Sequence, residues 1–174
     1  MAQRQIAQAS EEVLRQKAKK VRDFGPSLEA LAKDMVETMR AAPGIGLAAP
    51  QIGVPLRVIV AELPPREEEK DPQRGRLFVI CNPEMVKSWG EEEGEEGCLS
   101  LPGYVGGVKR AASVTVKGQN LKGKGIRIRA KGLLARVLQH EIDHLDGFLF
   151  TDRLESLEKL RPLERGEEKV ESAI

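Results

Sequence analysis

The chain has 174 residues, with 28 Lys+Arg against 27 Asp+Glu and a formal net charge of +1. That length fits one domain that can bury a core without disulfide staples, and 40% hydrophobic with 32% charged residues excludes wholesale disorder. The balanced charge gives no reason to expect nucleic acid or membrane as a partner, Pro and Gly break the longest uncharged stretch, which runs from Ala41 up to Arg57, and two cysteines make no disulfide framework. With Glu11 and Glu12 near the start and no apolar leader, a cytoplasmic protein is expected.

The first third reads as helix. Ser27 is the expected N-cap, and Leu28, Leu31, Met35 and Met39 follow at intervals of three and four, a stripe for core packing. Pro43-Gly44 ends it. A weaker helical pattern covers 11–20. From 54 to 130 the period becomes two: Val58-Ile59-Val60, Leu77-Phe78-Val79-Ile80, Ser113-Val114-Thr115-Val116, and Ile126-Arg127-Ile128-Arg129 with isoleucines in and arginines out. Turn-rich segments lie between them at 64–75, 90–97 and 118–125, and the first half of the acidic run 91–96 reads as a solvated loop. The loop at 64–75 suggests no function. Helix returns near Gly132 and stops at Asp146-Gly147. Leu154, Leu157 and Leu160, spaced by three before Pro162, suggest a short amphipathic helix leading into a charged tail. The expectation is one α+β catalytic domain over 1–152 and a helix or tail over 153–174. Short antiparallel sheets would pack around a buried C-terminal helix, with a second helix near the N-terminus.

Chemistry concentrates in the scarcest residues. The chain's two histidines, His140 and His144, stand in His140-Glu141-Ile142-Asp143-His144. A random placement of two histidines with Glu after the first gives this H-E-x-x-H spacing only about 0.1% of the time, so the pattern takes priority. Residues four apart share a helix face, so both imidazoles can reach one ion. Leu133, Leu134, Val137, Leu138 and Leu145 make the helix apolar nearly all round, hence buried. Glu141 would stand by the open metal position, where it can take a proton from an activated water.

A catalytic site of this kind needs a third protein ligand. Phe150 stands where a metzincin would place its third histidine, and cannot bind metal. Glu164 is available to a zincin-type peptidase, although it follows Pro162 in a charged tail. Cys98, bracketed by turn residues in Glu96-Gly97-Cys98-Leu99-Ser100-Leu101-Pro102-Gly103, offers a thiolate; Cys81 reads as a buried strand cysteine. Ligand type alone would suit Zn²⁺.

Three segments in register resemble the peptide deformylase family over about residues 10 to 155: Gly44-Ile45-Gly46-Leu47-Ala48-Ala49-Pro50-Gln51, Glu96-Gly97-Cys98-Leu99-Ser100, and Gln139-His140-Glu141-Ile142-Asp143-His144. The resemblance implies an enzyme that hydrolyses the N-formyl group from the N-terminal methionine of nascent polypeptides. It implies that Cys98, His140 and His144 hold one divalent ion, Fe²⁺ natively, with Zn²⁺, Ni²⁺ or Co²⁺ as possible substitutes. Glu141 would be general base and acid, and Gln51 and the Leu99 N–H would bind the oxyanion. Ile45, Gly46 and Gly97 would contact substrate, and Glu96 and Arg110 would pair to steady the loop bearing Cys98. It also implies substrate capture near the ribosome; the chain carries no direct nucleic-acid motif, and a monomer is expected. Gly94 departs from relatives that carry a bulky apolar residue there.

Those roles make chemical sense. Formamide hydrolysis needs an activated water, an electrophilic carbonyl and a proton for the leaving amine. Gln51 can donate to an oxyanion without bringing a charge. Gly44 and Gly46 allow close approach of an extended peptide, and Val137 and Leu133, one and two turns before His140, could line a pocket for methionine. Gly44-Ile45-Gly46-Leu47-Ala48-Ala49 also fits the dinucleotide fingerprint G-x-G-x-x-A, but a helical pattern precedes it and Pro50 follows it, the wrong context. Two rivals are a zincin-type peptidase using Glu164 and an inactive, metal-stabilised ribosome-binding relative. Glu141 and Gln51 argue against the second, because a structural site needs no base.

Overall fold

A computed structural model describes residues 3–163 and 174. In chain order the elements are α1 (Pro26–Ala41), β1 (Gly46–Ala48), β2 (Val58–Glu62), β3 (Leu77–Trp89), β4 (Glu92–Cys98), β5 (Leu101–Arg110), β6 (Ser113–Gln119), β7 (Gly125–Lys131), α2 (Gly132–Leu145) and β8 (Leu160–Pro162). Strands β1-β2-β3-β6-β7 form one antiparallel sheet, and β4-β5-β8 form another.

Strand β2 explains how the layers assemble. Its consecutive apolar residues point alternately to opposite faces. Val58 and Val60 pack with Leu28, Leu31, Met35 and Met39 of α1, while Ile59 and Ala61 pack with Leu134, Val137, Leu138 and Leu145 of α2. Both faces are therefore dry, which is why the strand reads as a run rather than an alternation. At the sheet's far edge β7 meets water on one side. Ile128 is buried there and Arg127 and Arg129 are exposed, as the alternation predicts. Burying each large aliphatic side chain of α2 contributes about 1.5–3 kcal/mol, so the helix is held by packing on the sheet.

Several local expectations need correction. Gly25, not Ser27, is the N-cap of α1, because Pro26 takes the first helical position, where its missing N–H costs nothing. The weak pattern at 11–20 yields only a 3₁₀ turn, Glu12–Arg15. The Ala18 N–H donates to the Leu145 carbonyl and the Lys19 N–H to the Pro55 carbonyl, so tertiary partners displace the helical ones. The turn-rich segment at 90–97 is mostly strand β4, paired along its length with β5. Its glutamates are exposed up to Glu95, as a solvated run would be, but in a strand. The helix expected around 154–160 is a 3₁₀ turn, Leu157–Lys159, followed by β8, which pairs Leu160, Arg161 and Pro162 with Gly106, Val105 and Tyr104. An open edge on β5 took the segment as a strand. The C-terminus of α2 matches expectation: Gly147, at φ +84°, follows the Asp146 cap in the left-handed conformation that glycine tolerates.

This framework brings three pieces of chain together. Strand β4 ends on Cys98, α2 presents His140, Glu141 and His144 from a buried face, and the 3₁₀ turn Ala49–Ile52 after β1 carries Gln51.

Candidate active site

The ligand atoms of Cys98, His140 and His144 lie within 4.8 Å of one another, all buried. The Cys98 Sγ is 3.4 Å from His144 Nε2. Thiolate and imidazole bound tetrahedrally to one ion at ordinary bond lengths would be separated by about 3.5 Å. The Nε2 of His140 has no hydrogen-bond partner within the described residues. Its Nδ1 lies 2.8 Å from Glu96 Oε1, which places the proton on Nδ1 and leaves the Nε2 lone pair free for a cation. A soft thiolate and two imidazoles with an unpartnered buried nitrogen fit a transition-metal ion. Both oxygens of Glu141 are also buried without partners, with Oε1 4.0 Å from His140 Nε2. Glu141 therefore borders the cluster, free of any competing hydrogen bond from the described residues. Cys81 is elsewhere, paired opposite Val58 and packed on the α1 side. Glu164 lies outside the described residues.

Glu96 organises the surroundings. Arg110 grips its carboxylate with two bonds of 2.9 Å, and Arg136 Nη1 adds a third at 2.7 Å. Arg110 reaches on to Asp143 at 2.6 Å, and Arg153 pairs with the same aspartate. The Glu96–Arg110 pairing follows the expectation, whereas Arg136 is an addition. Its guanidinium also donates to the Val108 and Glu92 carbonyls at 2.9 Å. It lies against Gly94, where a Cβ would be 3.0 Å from its Cζ. Gly94 is thus the seat of Arg136. The available sequence signal was one arginine on an otherwise apolar helix, a full turn before His140.

Gln51 is fully buried and oriented by its neighbours. Its Oε1 accepts from the Ala48 N–H at 3.0 Å, so Nε2 is the end that faces Ser100 Oγ at 3.1 Å and Cys98 Sγ at 3.7 Å. A Cβ on Gly46 would come within 2.8 Å of Val137 Cγ1 and 3.1 Å of Glu141 Oε1, so glycine there lets β1 lie this close to Val137 and Glu141. Ile45 and Leu133 pack around the same cluster as Val137. The Leu99 N–H and Gly97 carbonyl face this space, and both bond to Ile174.

Burial governs the protonation states. It pushes the Cys98 thiol up to about 12, raises Glu141 well above the usual carboxylate range with help from the Glu96 charge, and holds His144 well below an ordinary histidine. Burial alone would raise Glu96 too, but Arg110 and His140 outweigh it and keep its carboxyl well below the usual range. A cation in the cluster would reverse the first two shifts.

The fold and the site thus define a hydrolase of the metal-dependent type: a buried Cys/His/His cluster with an adjacent free carboxyl on an α+β scaffold. The polypeptide deformylase profile matches residues 3–160. A peptide deformylase from Thermomicrobium roseum is 49% identical over 99% of this chain and 98% of its own length. A peptide deformylase crystal structure from Legionella pneumophila superposes with a TM-score of 0.82 at 49% identity, over 91% of this chain and 89% of that one. One from Thermotoga maritima gives 0.81 at 34% identity, over 90% and 100%. The chain belongs to the polypeptide deformylase family. It is an enzyme that removes the N-formyl group from nascent polypeptides, and no described helix is long and apolar enough to cross a membrane.

Because the Cys98 thiol holds its proton at neutral pH, binding an ion there must release it. Affinity for Co²⁺, measured by chelator competition, should rise about tenfold per pH unit between roughly pH 6 and 8. A pH-independent affinity would remove the Cys98 thiolate from the ligand set.

Proposed function

We propose that Cys98, His140 and His144 hold one divalent ion per chain, that Glu141 moves the proton, and that Gln51 and the Leu99 N–H receive the developing charge. The observation that carries this reading is the unpartnered Glu141 carboxyl beside the three-ligand cluster. The ion, when bound, supplies electrophilic activation of water and of the formyl carbonyl. Glu141 takes a proton as the water's oxygen bonds to the formyl carbon. It returns that proton to the nitrogen as the C–N bond breaks, releasing formate and a free amino terminus. Gln51 Nε2, turned toward Cys98 by the Ala48 bond, donates to the oxygen as it gains negative charge. Ile45, Gly46, Leu133 and Val137 take the methionine side chain, and the Gly97 carbonyl accepts from the substrate backbone in place of the Ile174 N–H.

Fe²⁺ is the native ion in this reading. The donor set accepts Fe²⁺, Co²⁺, Ni²⁺ and Zn²⁺ alike, and the family resemblance selects iron. Since the substrates are nascent chains, the enzyme works as a cytoplasmic monomer close to the ribosome; a stable dimer in sedimentation analysis would contradict that. The zincin alternative through Glu164 gains no support, because Cys98 already completes the cluster.

Glu141→Gln tests the proton role. Purified without oxygen, the parent and the variant should both carry about one iron per chain. The variant's turnover of a formyl-Met-peptide should fall by about 10²–10⁴-fold, or further because one group serves both transfers. Near-parent turnover in the iron-loaded variant would remove Glu141 from the mechanism, and zinc in place of iron would remove the iron assignment.

A further inference from the structure

The space assigned to substrate holds a residue of this chain. Ile174 is completely buried and belongs to the apolar cluster of Val137, Leu134 and Leu138. Its Cγ2 meets the same point above Gly46 as Val137 Cγ1 and Glu141 Oε1, 3.0 Å from a Cβ built there. Its backbone is fixed as well. The Ile174 N–H donates to the Gly97 carbonyl at 3.2 Å, and the Leu99 N–H donates to the Ile174 oxygen at 2.9 Å. The two bonds straddle Cys98, so Ile174 lies alongside the ligand cluster as an added strand would. Earlier in the chain, the Leu163 N–H donates to the Gly103 carbonyl, which anchors Leu163 on β5.

We propose that Ile174 is an intramolecular pseudosubstrate. Its aliphatic side chain fills the pocket for the substrate's methionine, and its backbone oxygen takes the Leu99 N–H intended for the formyl oxygen. This rests on the roles proposed above for Gly46, Gly97, Leu99 and Val137. The two occupants compete for one pocket and one donor, so formyl peptides bind only to the fraction of enzyme from which Ile174 has withdrawn. The tether makes this competition independent of protein concentration. An aliphatic side chain is required. A carboxylate side chain at 174 would be buried beside Glu141 without a partner, and the contact would be lost.

The test compares the metal-loaded parent with Ile174→Asp and the conservative Ile174→Leu. Occupancy lowers the substrate's apparent affinity by the vacant fraction, so Ile174→Asp should lower KM for a formyl-Met-peptide about threefold or more, with kcat near the parent's. Ile174→Leu should keep the parent KM. Hydrogen exchange at the Leu99 amide, followed without substrate, should speed up about tenfold in Ile174→Asp and stay slow in Ile174→Leu. Slow Leu99 exchange in Ile174→Asp, whatever its KM, would overturn the pseudosubstrate. Rapid Leu99 exchange with no change in KM would show that substrate does not use this donor and pocket, which instead contradicts the assigned roles.

Discussion

One buried negative charge holds this site together. Glu96 sits on β4 with no solvent exposure, where an isolated carboxylate would cost several kcal/mol. It persists because Arg110 from β5 and Arg136 and His140 from α2 supply four hydrogen bonds to its two oxygens. Those partners come from both the three-stranded sheet and the helix packed on the five-stranded sheet. The carboxylate thereby fixes the position of β4 against α2. Two residues further along β4 is Cys98, so the same bonds set the distance from its thiol to the two histidines. Glu96 and Asp143 together offset the buried charges of Arg110 and Arg136, and Arg153 pairs with Asp143 at the exposed end of the network.

The arrangement also assigns each group one job. Glu96 occupies Nδ1 of His140 and commits Nε2 to the cluster. Ala48 and Ser100 orient the Gln51 amide, so its donor end faces the cluster before any substrate arrives. Glu141 alone receives no hydrogen bond from the described residues. The proposed base, which would both accept and return a proton, is better left without a competing donor, and the apolar packing around Val137 and Gly46 leaves it so.

Sequence patterns revealed those parts that depend on local periodicity. The apolar stripes of α1 and α2, the dry run of β2 and the alternation of β7 each follow from which faces meet water. His140, His144 and Glu141 were legible as candidate ligand and base residues because two histidines at helical spacing with an adjacent glutamate are rare. Strands β4, β5 and β8 were not legible as strands. Gly94, Gly97, Pro102, Gly103 and the glutamates of β4 have poor strand propensity, and pairing across β4-β5-β8 decides their conformation. Arg136 was missed because an arginine's partners across a fold leave no local trace, and Ile174 because no motif marks a residue that fills another segment's pocket.

If Glu96 organises the site, neutralising it without changing its shape must loosen the metal before it unfolds the protein. Glu96→Gln leaves Arg110 and Arg136 short of their shared anion and His140 with a weaker acceptor. Chelator competition on a folded Glu96→Gln enzyme, judged by circular dichroism, should show metal affinity reduced about 10- to 100-fold. An affinity equal to the parent's in that folded variant would contradict the account, and the geometry of Cys98, His140 and His144 would have to arise from backbone packing alone.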